Sequence, residues 1–233
     1  MAKVINCAHR GAMAYEPENT LRAFRRAAEM GADQIELDVF LTSDGVPVVC
    51  HDAMLKTEPR GGDVRKMPLT QIRELRFRGE PIPTLQEAID LCAEKKMLLN
   101  IEIKDRACTE KAVEAVRKNN LYSRCQVSNF YISMLRRVKS LDARVPTGYI
   151  VLPGFQWLQL EQAKKNNCES VNPLHSATGT AFVNKAHRRG IKVIAWTCNT
   201  PEAMRGIIAA GVDGIITNRP DVLTGVKKEM GIE

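Results

Sequence analysis

Eight short apolar runs alternate with helical patterns along the chain, and this alternation constrains the fold more than any other feature. The predicted strands cover 3–8, 34–39, 97–103, 125–128, 147–151, 169–172, 192–197 and 213–217. Strands that alternate with helices imply right-handed crossovers and a parallel sheet. Eight repeats in 233 residues predict a (β/α)8 TIM barrel that forms a single domain over residues 1–233. A doubly wound open sheet is the alternative, because periodicity alone does not exclude it.

Helical patterns fill the intervals between most of the predicted strands. We place helices near 20–30, 85–96, 109–119, 131–140, 156–165, 180–189, 201–209 and 220–229. Two of them carry clear start signals. Thr84 and Glu87 have the spacing of a capping box, and Thr200 stands as an N-cap before a first-turn proline, Pro201.

The regular alternation is interrupted once, between the second strand and its helix. Residues 40–83 are far longer than an ordinary βα loop and are predicted to form a small inserted cap subdomain. The insert opens with an Asp44-Gly45 pair, which is a strong hairpin signal. If these two residues form the turn, His51 lies directly across from Asp38, unless a bulge beside Pro47 shifts the register.

Polar residues gather where the predicted strands end. His9 and Arg10 end the first strand, and Glu36 and Asp38 end the second. Similar positions on later strands hold Glu102, Lys104, Asn129, Asn172, Trp196, Asn199 and Asn218. The carboxyl ends of barrel strands form one rim, and barrel enzymes carry their chemistry there. One asparagine in such a place is usually a turn residue, so it is the concentration that predicts a functional site.

Three of these rim residues are carboxylates: Glu36, Asp38 and Glu102. Buried carboxylates are costly unless their charge is offset. An all-oxygen set with no nearby excess of cysteine or histidine suits Mg²⁺ or Ca²⁺ better than zinc. The sequence therefore predicts a divalent-cation site.

The remaining charged rim residues suit phosphoryl chemistry. Arg10 and Lys104 add positive charge for a phosphate, and arginine can bind two of its oxygens at once. His9 and His51 can share acid and base roles in displacement at phosphorus. His175 and His187 have weaker claims, since one lies in a loop and the other in a predicted outer helix.

The formal charge of +7 raises the question of nucleic acid. Basic pairs are scattered over the predicted outer helices, and aromatic residues make up only 5% of the chain, so no stacking platform for bases is evident. We therefore expect no nucleic-acid partner and a small anionic substrate instead.

Compartment and membrane contact follow from other features. The chain has no apolar run of transmembrane length and no signal-peptide core at its N-terminus, so we expect no stable membrane association. Seven cysteines form no C-x-x-C pair, which favours free thiols in a reducing cytoplasm. Cys50, although it precedes His51, is interpreted as a small core residue. The oligomeric state is left open, with a homodimer as one option.

Several ordered motifs resemble those of the glycerophosphodiester phosphodiesterase family, and together they span nearly the whole chain. They are "HRG" at 9–11, "PENT" at 17–20, "ELD" at 36–38, "LTSDGVPVVCHD" at 41–52, "IPTLQEA" at 82–88, "NIEIK" at 100–104, "AWTCN" at 195–199 and "DGIITNRP" at 213–220. The resemblance implies a TIM barrel with an insertion after the second strand. It also implies metal-dependent cleavage of a glycerophosphodiester to sn-glycerol 3-phosphate and an alcohol, with Mg²⁺, Ca²⁺ or Mn²⁺.

The resemblance also implies residue roles. His9 and His51 would be the acid/base pair, Glu36, Asp38 and Glu102 the metal ligands, Arg10 and Lys104 the phosphate contacts, Trp196 a wall of the glycerol pocket, and Glu18 and Asn199 supporting residues at the rim. Asn218 departs from the pattern, because the family often has Asp there; we place it outside the metal and acid/base set.

Two other functions fit the same rim. One is a phospholipase of C or D type that acts on lipid or lysolipid head groups; the absence of a basic amphipathic helix with an aromatic face counts against it. The other is a non-catalytic phosphate-binding barrel, although no histidine or metal carboxylate is missing. The sequence does not choose the leaving alcohol, and we expect residues 60–67 of the insert to shape that side of the pocket.

Overall fold

A closed barrel of eight parallel strands forms the centre of the protein. The structure is a computed structural model that describes residues 3–232. The barrel strands are β1 (Ile5–His9), β2 (Gln34–Leu41), β6 (Leu98–Ile103), β7 (Cys125–Asn129), β8 (Thr147–Val151), β9 (Ser170–Pro173), β10 (Lys192–Ala195) and β11 (Gly214–Thr217). Strand β1 pairs in parallel with both β2 and β11, which closes the sheet. The (β/α)8 prediction is therefore confirmed, and the open sheet is excluded.

Helices cover the outside of the barrel. They are α1 (Leu21–Glu29), α3 (Leu85–Glu94), α4 (Thr109–Lys118), α5 (Ile132–Leu141), α6 (Gln156–Lys165), α7 (Thr180–Arg188), α8 (Pro201–Ala209) and α9 (Pro220–Glu229), with a short α2 (Leu69–Ile72) in the insert. The predicted capping box of Thr84 and Glu87 is present, and Thr200 caps α8. Within residues 3–232, no helix combines the length and the apolar character needed to span a bilayer.

Strand β2 shows how the barrel separates its two faces. Ile35, Leu37 and Val39 belong to the apolar core between strands and helices, and all three are fully buried. Side chains alternate along a strand, so Glu36 and Asp38 point to the opposite side, into the barrel. These two carboxylates are nearly as inaccessible as the core, with 3% and 1% of their surface exposed. The strand thus delivers two charged groups to the barrel interior.

The segment between β2 and α3, which covers most of the insert predicted at 40–83, has apolar packing of its own. It contains β3 (Pro47–Val49), β4 (Arg76–Phe77), β5 (Glu80–Pro81), a 3-10 turn (Val64–Lys66) and α2. Its buried side chains pack with Phe40 of β2 as a cluster separate from the main core: Val48, Leu55, Val64, Ile72, Leu75 and Ile82. Antiparallel pairing of β3 with β2 ties this cluster to the barrel.

The predicted hairpin register is wrong by one residue. Val39 pairs with Val49, which puts Asp38 across from Cys50, whose amide donates to the Asp38 carbonyl over 3.1 Å. The connection is a three-residue loop closed by the Thr42 amide and the Val46 carbonyl (3.0 Å). Gly45, at φ +80°, is the additional left-handed residue of such a loop, so the strand that follows is shifted relative to a two-residue turn. His51 therefore lies beyond the end of β3.

Gly11 supports a close approach between the first βα loop and α1. Its φ of +81° is left-handed, and a Cβ built on it would lie 2.7 Å from the backbone carbon of Ala23. Gly45 has a similar φ of +80° but no atom within 4 Å of an added Cβ. A side chain at Gly45 would therefore meet backbone strain alone, whereas one at Gly11 would meet the same strain and a steric clash.

We expect Gly11→Ala to lower the free energy of unfolding more than Gly45→Ala. The left-handed conformation alone costs about 1–2 kcal/mol for a residue with a Cβ. The clash at residue 11 adds an overpacking cost of about 1–3 kcal/mol. Urea unfolding of both variants measures the difference, and equal losses would contradict the close approach at Gly11.

Candidate active site

A cavity of about 190 Å³ opens at the carboxyl ends of the barrel strands. Of the ten residues predicted for the site, seven line it: His9, Arg10, Glu36, His51, Glu102, Lys104 and Trp196. The other three lie behind the lining. Asp38 and Glu18 form ion pairs with Arg10. Asn199 accepts a hydrogen bond from the amide of Asn218, which bonds to His9. Residues 60–67 of the insert do not line this cavity. His51 reaches the site although it lies beyond the end of β3.

The three carboxylates form a compact cluster. Glu36, Asp38 and Glu102 each present an oxygen within 4.8 Å of the others. Burial raises the pKa of Glu36 well above its ordinary value, and the charges of Asp38 and Glu102 raise it further. Burial and Asp38 also raise the pKa of Glu102, against the lowering effect of Lys104. A set of buried hard oxygens that resist ionising together fits a divalent cation such as Mg²⁺ or Ca²⁺.

Two cations lie against this cluster. Arg10 Nε is 3.2 Å from Asp38 Oδ2, and its Nη1 donates to Glu18 Oε1 over 3.0 Å. The Arg10 amide donates to Glu36 Oε2 over 3.0 Å. Lys104 Nζ lies 2.7 Å from Glu102 Oε1 and 3.4 Å from Asp38 Oδ1. Both cations therefore line the cavity while they neutralise carboxylates, which positions them to contact an anion as well.

The backbone of Arg10 is left-handed, with φ +52°. A side chain other than glycine rarely adopts this conformation, and it is enriched where function requires strain. In this conformation the Arg10 amide contacts the Glu36 carboxylate, and the guanidinium contacts the Asp38 carboxylate. The strained residue thus joins two members of the cluster.

His9 is held in one orientation by Asn218. The distance from His9 Nδ1 to Asn218 Oδ1 is 2.7 Å. Because an amide oxygen only accepts, Nδ1 donates, and the neutral ring carries its lone pair on Nε2. Burial lowers the pKa of His9 to about 4, Arg10 lowers it too, and Asn218 partly opposes them. His9 is therefore neutral at physiological pH.

His51 has a different environment on the insert side of the cavity. Its Nδ1 lies 2.8 Å from Asp52 Oδ1, and 32% of its side chain is exposed. The Asp52 carboxylate accepts from Nδ1, which leaves Nε2 for other contacts. The two imidazoles thus differ in partner and in solvent exposure.

Sequence reasoning missed two contacts that hold this site together. Asn218, expected outside the metal and acid/base set, bonds to His9 and so supports a member of that set. Asn199 Oδ1 accepts from the Asn218 amide over 2.8 Å and so fixes this partner. Asn19, left-handed at φ +57°, donates to Asp38 Oδ2 over 2.9 Å. It lies in the "PENT" motif, where an asparagine able to adopt positive φ was the available signal.

The remaining cavity lining combines aromatic side chains with buried polar ones. Phe130 packs edge-on against Trp196 with ring centroids 5.8 Å apart, and Trp196 Nε1 donates to the Asn172 carbonyl over 2.7 Å. Asn100 Oδ1, Ser128 Oγ and Asn172 Nδ2 are buried and have no hydrogen-bond partner among the described residues. Such a wall suits a small molecule with hydroxyl groups and a carbon backbone.

Three other residues considered from sequence are outside the chemistry. Burial and Asp38 raise the pKa of the Cys50 thiol, which agrees with its interpretation as a core residue. His187 Nε2 lies 2.8 Å from Asp213 Oδ2 in an exposed position. His175 begins a 3-10 turn outside the cavity lining.

The comparison with known proteins agrees with this geometry. The model of the Glycerophosphoryl diester phosphodiesterase family matches residues 9–222. A glycerophosphodiester phosphodiesterase from Caldanaerobacter subterraneus subsp. tengcongensis is 36% identical, over 98% of this chain and 100% of the relative.

Solved structures are similar along almost the full length. An Oleispira antarctica phosphodiesterase, determined in complex with the product sn-glycerol-3-phosphate, has a TM-score of 0.86 and 26% identity, over 97% of both chains. A glycerophosphodiester phosphodiesterase from Thermotoga maritima has a TM-score of 0.81 and 28% identity, over 96% of this chain and 98% of that one.

The raised pKa of Glu36 predicts how a metal ion and pH act together on stability. In metal-free protein the folded chain holds this proton more tightly than the unfolded chain, whose carboxyl titrates near about 4.3. The stabilisation that the folded protein gains from this bound proton is present below the pKa of the unfolded chain, and it is lost as pH rises through the pKa of the folded chain. Because the ion competes with the proton, the gain in Tm on replacing EDTA by Mg²⁺ or Ca²⁺ should widen between about pH 5 and about pH 8.

Thermal unfolding with and without the ion measures this gain. Glu36→Gln is the matched control, since it keeps the shape and removes the charge, and it should abolish most of the gain. A gain that is the same at every pH would contradict ion binding at these carboxylates.

Proposed function

The chain belongs to the glycerophosphoryl diester phosphodiesterase family and is a phosphoric diester hydrolase, and from this premise we propose how its residues cleave a glycerophosphodiester. The observation that carries the proposal is a cavity lined by two histidines, two cations and two carboxylates, with Asp38 clustered beside those carboxylates and in contact with both cations. The family match and the product in the Oleispira relative support sn-glycerol 3-phosphate as a product here.

We propose that Glu36, Asp38 and Glu102 hold the ion, as Mg²⁺, Ca²⁺ or Mn²⁺. A bound divalent cation would offset the negative charge that develops on the phosphoryl oxygens. Arg10 and Lys104 contact the same phosphate from the protein side, where arginine can donate two parallel hydrogen bonds. Glu18 fixes the guanidinium of Arg10 through its 3.0 Å contact.

We propose that His9 is the base in the first step. Its neutral state, its fixed ring and its Nε2 lone pair suit removal of a proton from the glycerol hydroxyl next to the phosphate. That oxygen bonds to phosphorus, and the bond from phosphorus to the leaving alcohol breaks. The Asn199–Asn218 contact supports the ring of His9 through two successive hydrogen bonds.

We propose that His51 is the acid. It lies on the insert side, and Asp52 holds its Nδ1 so that a proton on Nε2 can pass to the departing alcohol oxygen. The cyclic phosphate of the glycerol product is then opened by water, whose proton returns to His51, while His9 gives its proton back to the glycerol oxygen. Water is consumed once per turnover, and both histidines regain their first state.

The same arrangement supports proposals for the pocket walls, the cap, the cellular location and the binding partner. Trp196 and Phe130 would pack against the carbon backbone of glycerol. We propose residues 40–83 as a cap subdomain over the leaving-alcohol side of a single domain. Seven free cysteines support a cytoplasmic location. The partner we propose is the small diester, not nucleic acid.

A coupled assay for released glycerol 3-phosphate tests the reaction. Choline, ethanolamine, inositol and glycerol diesters are supplied in turn, each with Mg²⁺, Ca²⁺ or Mn²⁺. We expect turnover that needs the ion and that Glu102→Gln abolishes, because this variant removes a charged ligand. Full activity of Glu102→Gln in excess EDTA would disprove the metal assignment.

For His51→Ala we expect kcat to fall by about 10²–10⁴, the usual contribution of an acid/base group. Asp52→Asn is the matched control; it keeps His51 and should reduce kcat less, because Asp52 only orients the ring. Initial-rate kinetics on glycerophosphocholine measure both. A near-normal kcat for His51→Ala would show that this histidine does not carry the proton.

A further inference from the structure

A second cavity, which we call the base cavity, lies at the opposite end of the barrel from the catalytic one. Its volume is about 340 Å³, within the range of about 300–1,000 Å³ that is usual for small-molecule sites. Its lining includes residues with which barrel strands begin: Gln34, Leu98, Cys125, Ser170 and Lys192. The catalytic cavity opens where the same strands end, so the two cavities are separate sites.

Polar side chains reach the base cavity on strands that also supply the catalytic one. On β7, Ser128 lines the catalytic cavity, and Gln126, two positions earlier, lines the base cavity. Strand β2 repeats this arrangement with Glu36 and Gln34. Side chains two positions apart share one face of a strand, so all four point into the barrel. Branched apolar residues usually fill such interior layers, and the two glutamines depart from this rule.

Both glutamines are buried and have hydrogen-bonding atoms to spare. The exposed fractions of Gln34 and Gln126 are 5% and 8%. Gln34 Nε2 donates to the Leu99 carbonyl over 3.2 Å, and Gln126 Oε1 accepts from Ser170 Oγ over 3.1 Å. Their other amide atoms, Gln34 Oε1 and Gln126 Nε2, have no hydrogen-bond partner among residues 3–232. Because buried polar atoms are costly when unpaired, these two atoms point to a polar occupant.

Gly148 on β8 leaves room for this polar layer. A Cβ built on Gly148 would lie 2.8 Å from Ser170 Oγ and 3.0 Å from Gln126 Nε2. A larger residue on β8 would therefore displace the polar groups that line the base cavity.

Positive charge also lines the base cavity. Arg124 Nη2 donates to the Met97 carbonyl over 3.1 Å, and Lys192 is exposed. Neither cation has a carboxylate oxygen within 4.0 Å in the part of the chain that the structure describes. Glu169 lines the cavity too, but its Oε1 lies 2.6 Å from Lys139 Nζ, so this carboxylate already has a partner. The charges therefore favour an anion.

We propose that the base cavity binds a small polyol phosphate. Arg124 and Lys192 contact the phosphate, and the guanidinium suits it because arginine can donate parallel hydrogen bonds to two oxygens. Gln126 Nε2 donates to a hydroxyl oxygen, and Gln34 Oε1 accepts from a hydroxyl group. Hydroxyl groups both donate and accept, so they match a free amide donor together with a free amide acceptor. sn-Glycerol 3-phosphate carries both kinds of group and serves as the probe.

Calorimetric titration of the Mg²⁺-loaded protein with sn-glycerol 3-phosphate tests the site. Lys192→Gln removes a charge, and Gln126→Met keeps the length of the side chain but removes the amide. Each should weaken one binding event by about 10- to 100-fold, as expected for the loss of a hydrogen bond to a charged or buried group. Because both residues are remote from the catalytic cavity, kcat and KM for glycerophosphocholine should stay unchanged.

A control variant and two control ligands sharpen the comparison. Arg25→Gln removes the same charge from an exposed position on α1 and should leave binding unchanged. Inorganic phosphate keeps the contacts with the cations, and glycerol keeps those with the glutamines. Each of them should bind about 10-fold or more weakly than sn-glycerol 3-phosphate, because each lacks half of the contacts.

Three results would overturn the site. Binding that is unchanged in both Lys192→Gln and Gln126→Met would mean that the base cavity holds ordered water alone. Equal losses in Lys192→Gln and Arg25→Gln would show a general attraction between phosphate and a basic protein. Equal affinities for inorganic phosphate and sn-glycerol 3-phosphate would exclude the polyol contacts of the glutamines.

Discussion

Repulsion among three carboxylates at the mouth of the barrel is the constraint on which the rest of the site depends. Glu36, Asp38 and Glu102 lie within 4.8 Å of one another, with 3% and 1% of the first two residues and 12% of the Glu102 side chain exposed. Charges so close and so dry are tolerated only with compensation. Lys104 and Arg10 supply part of the compensating positive charge. The backbone of Arg10 has a positive φ at this position. Burial raises the pKa of Glu36, and the charges of Asp38 and Glu102 raise it further, so a divalent ion at the cluster would favour the ionised form.

The same cluster explains why the two histidines differ. His9 lies deep in the barrel beside Arg10, so burial and a neighbouring cation both favour its neutral form. His51 arrives from the insert, outside the barrel, and its ring is tied to an exposed carboxylate, that of Asp52. The two imidazoles therefore differ in burial and in hydrogen-bond partner, although the proposed reaction uses both of them.

Much of this architecture was predictable because it follows from periodicity and topology. Eight strand patterns and the rule that parallel strands end at one rim were enough to bring His9, Glu36 and Glu102 together. The hairpin register was not predictable from its two-residue signal, because Gly45 provides one additional left-handed residue. The hydrogen bond of Asn218 with His9 was missed for another reason: which side chains meet across a barrel depends on three-dimensional packing that spacing along the chain does not encode.

The two sides of the cavity mouth have different surfaces, and this asymmetry follows from where the insert attaches. The segment after β2 pairs with it through β3, carries His51 and has an apolar cluster of its own, so this side of the cavity mouth is a compact wall. The loops after β7 and β8 carry no such cover, and their apolar residues, such as Tyr131 and Phe155, remain exposed. A diester bound between the two sides would thus have one end enclosed and the other end open along an apolar path.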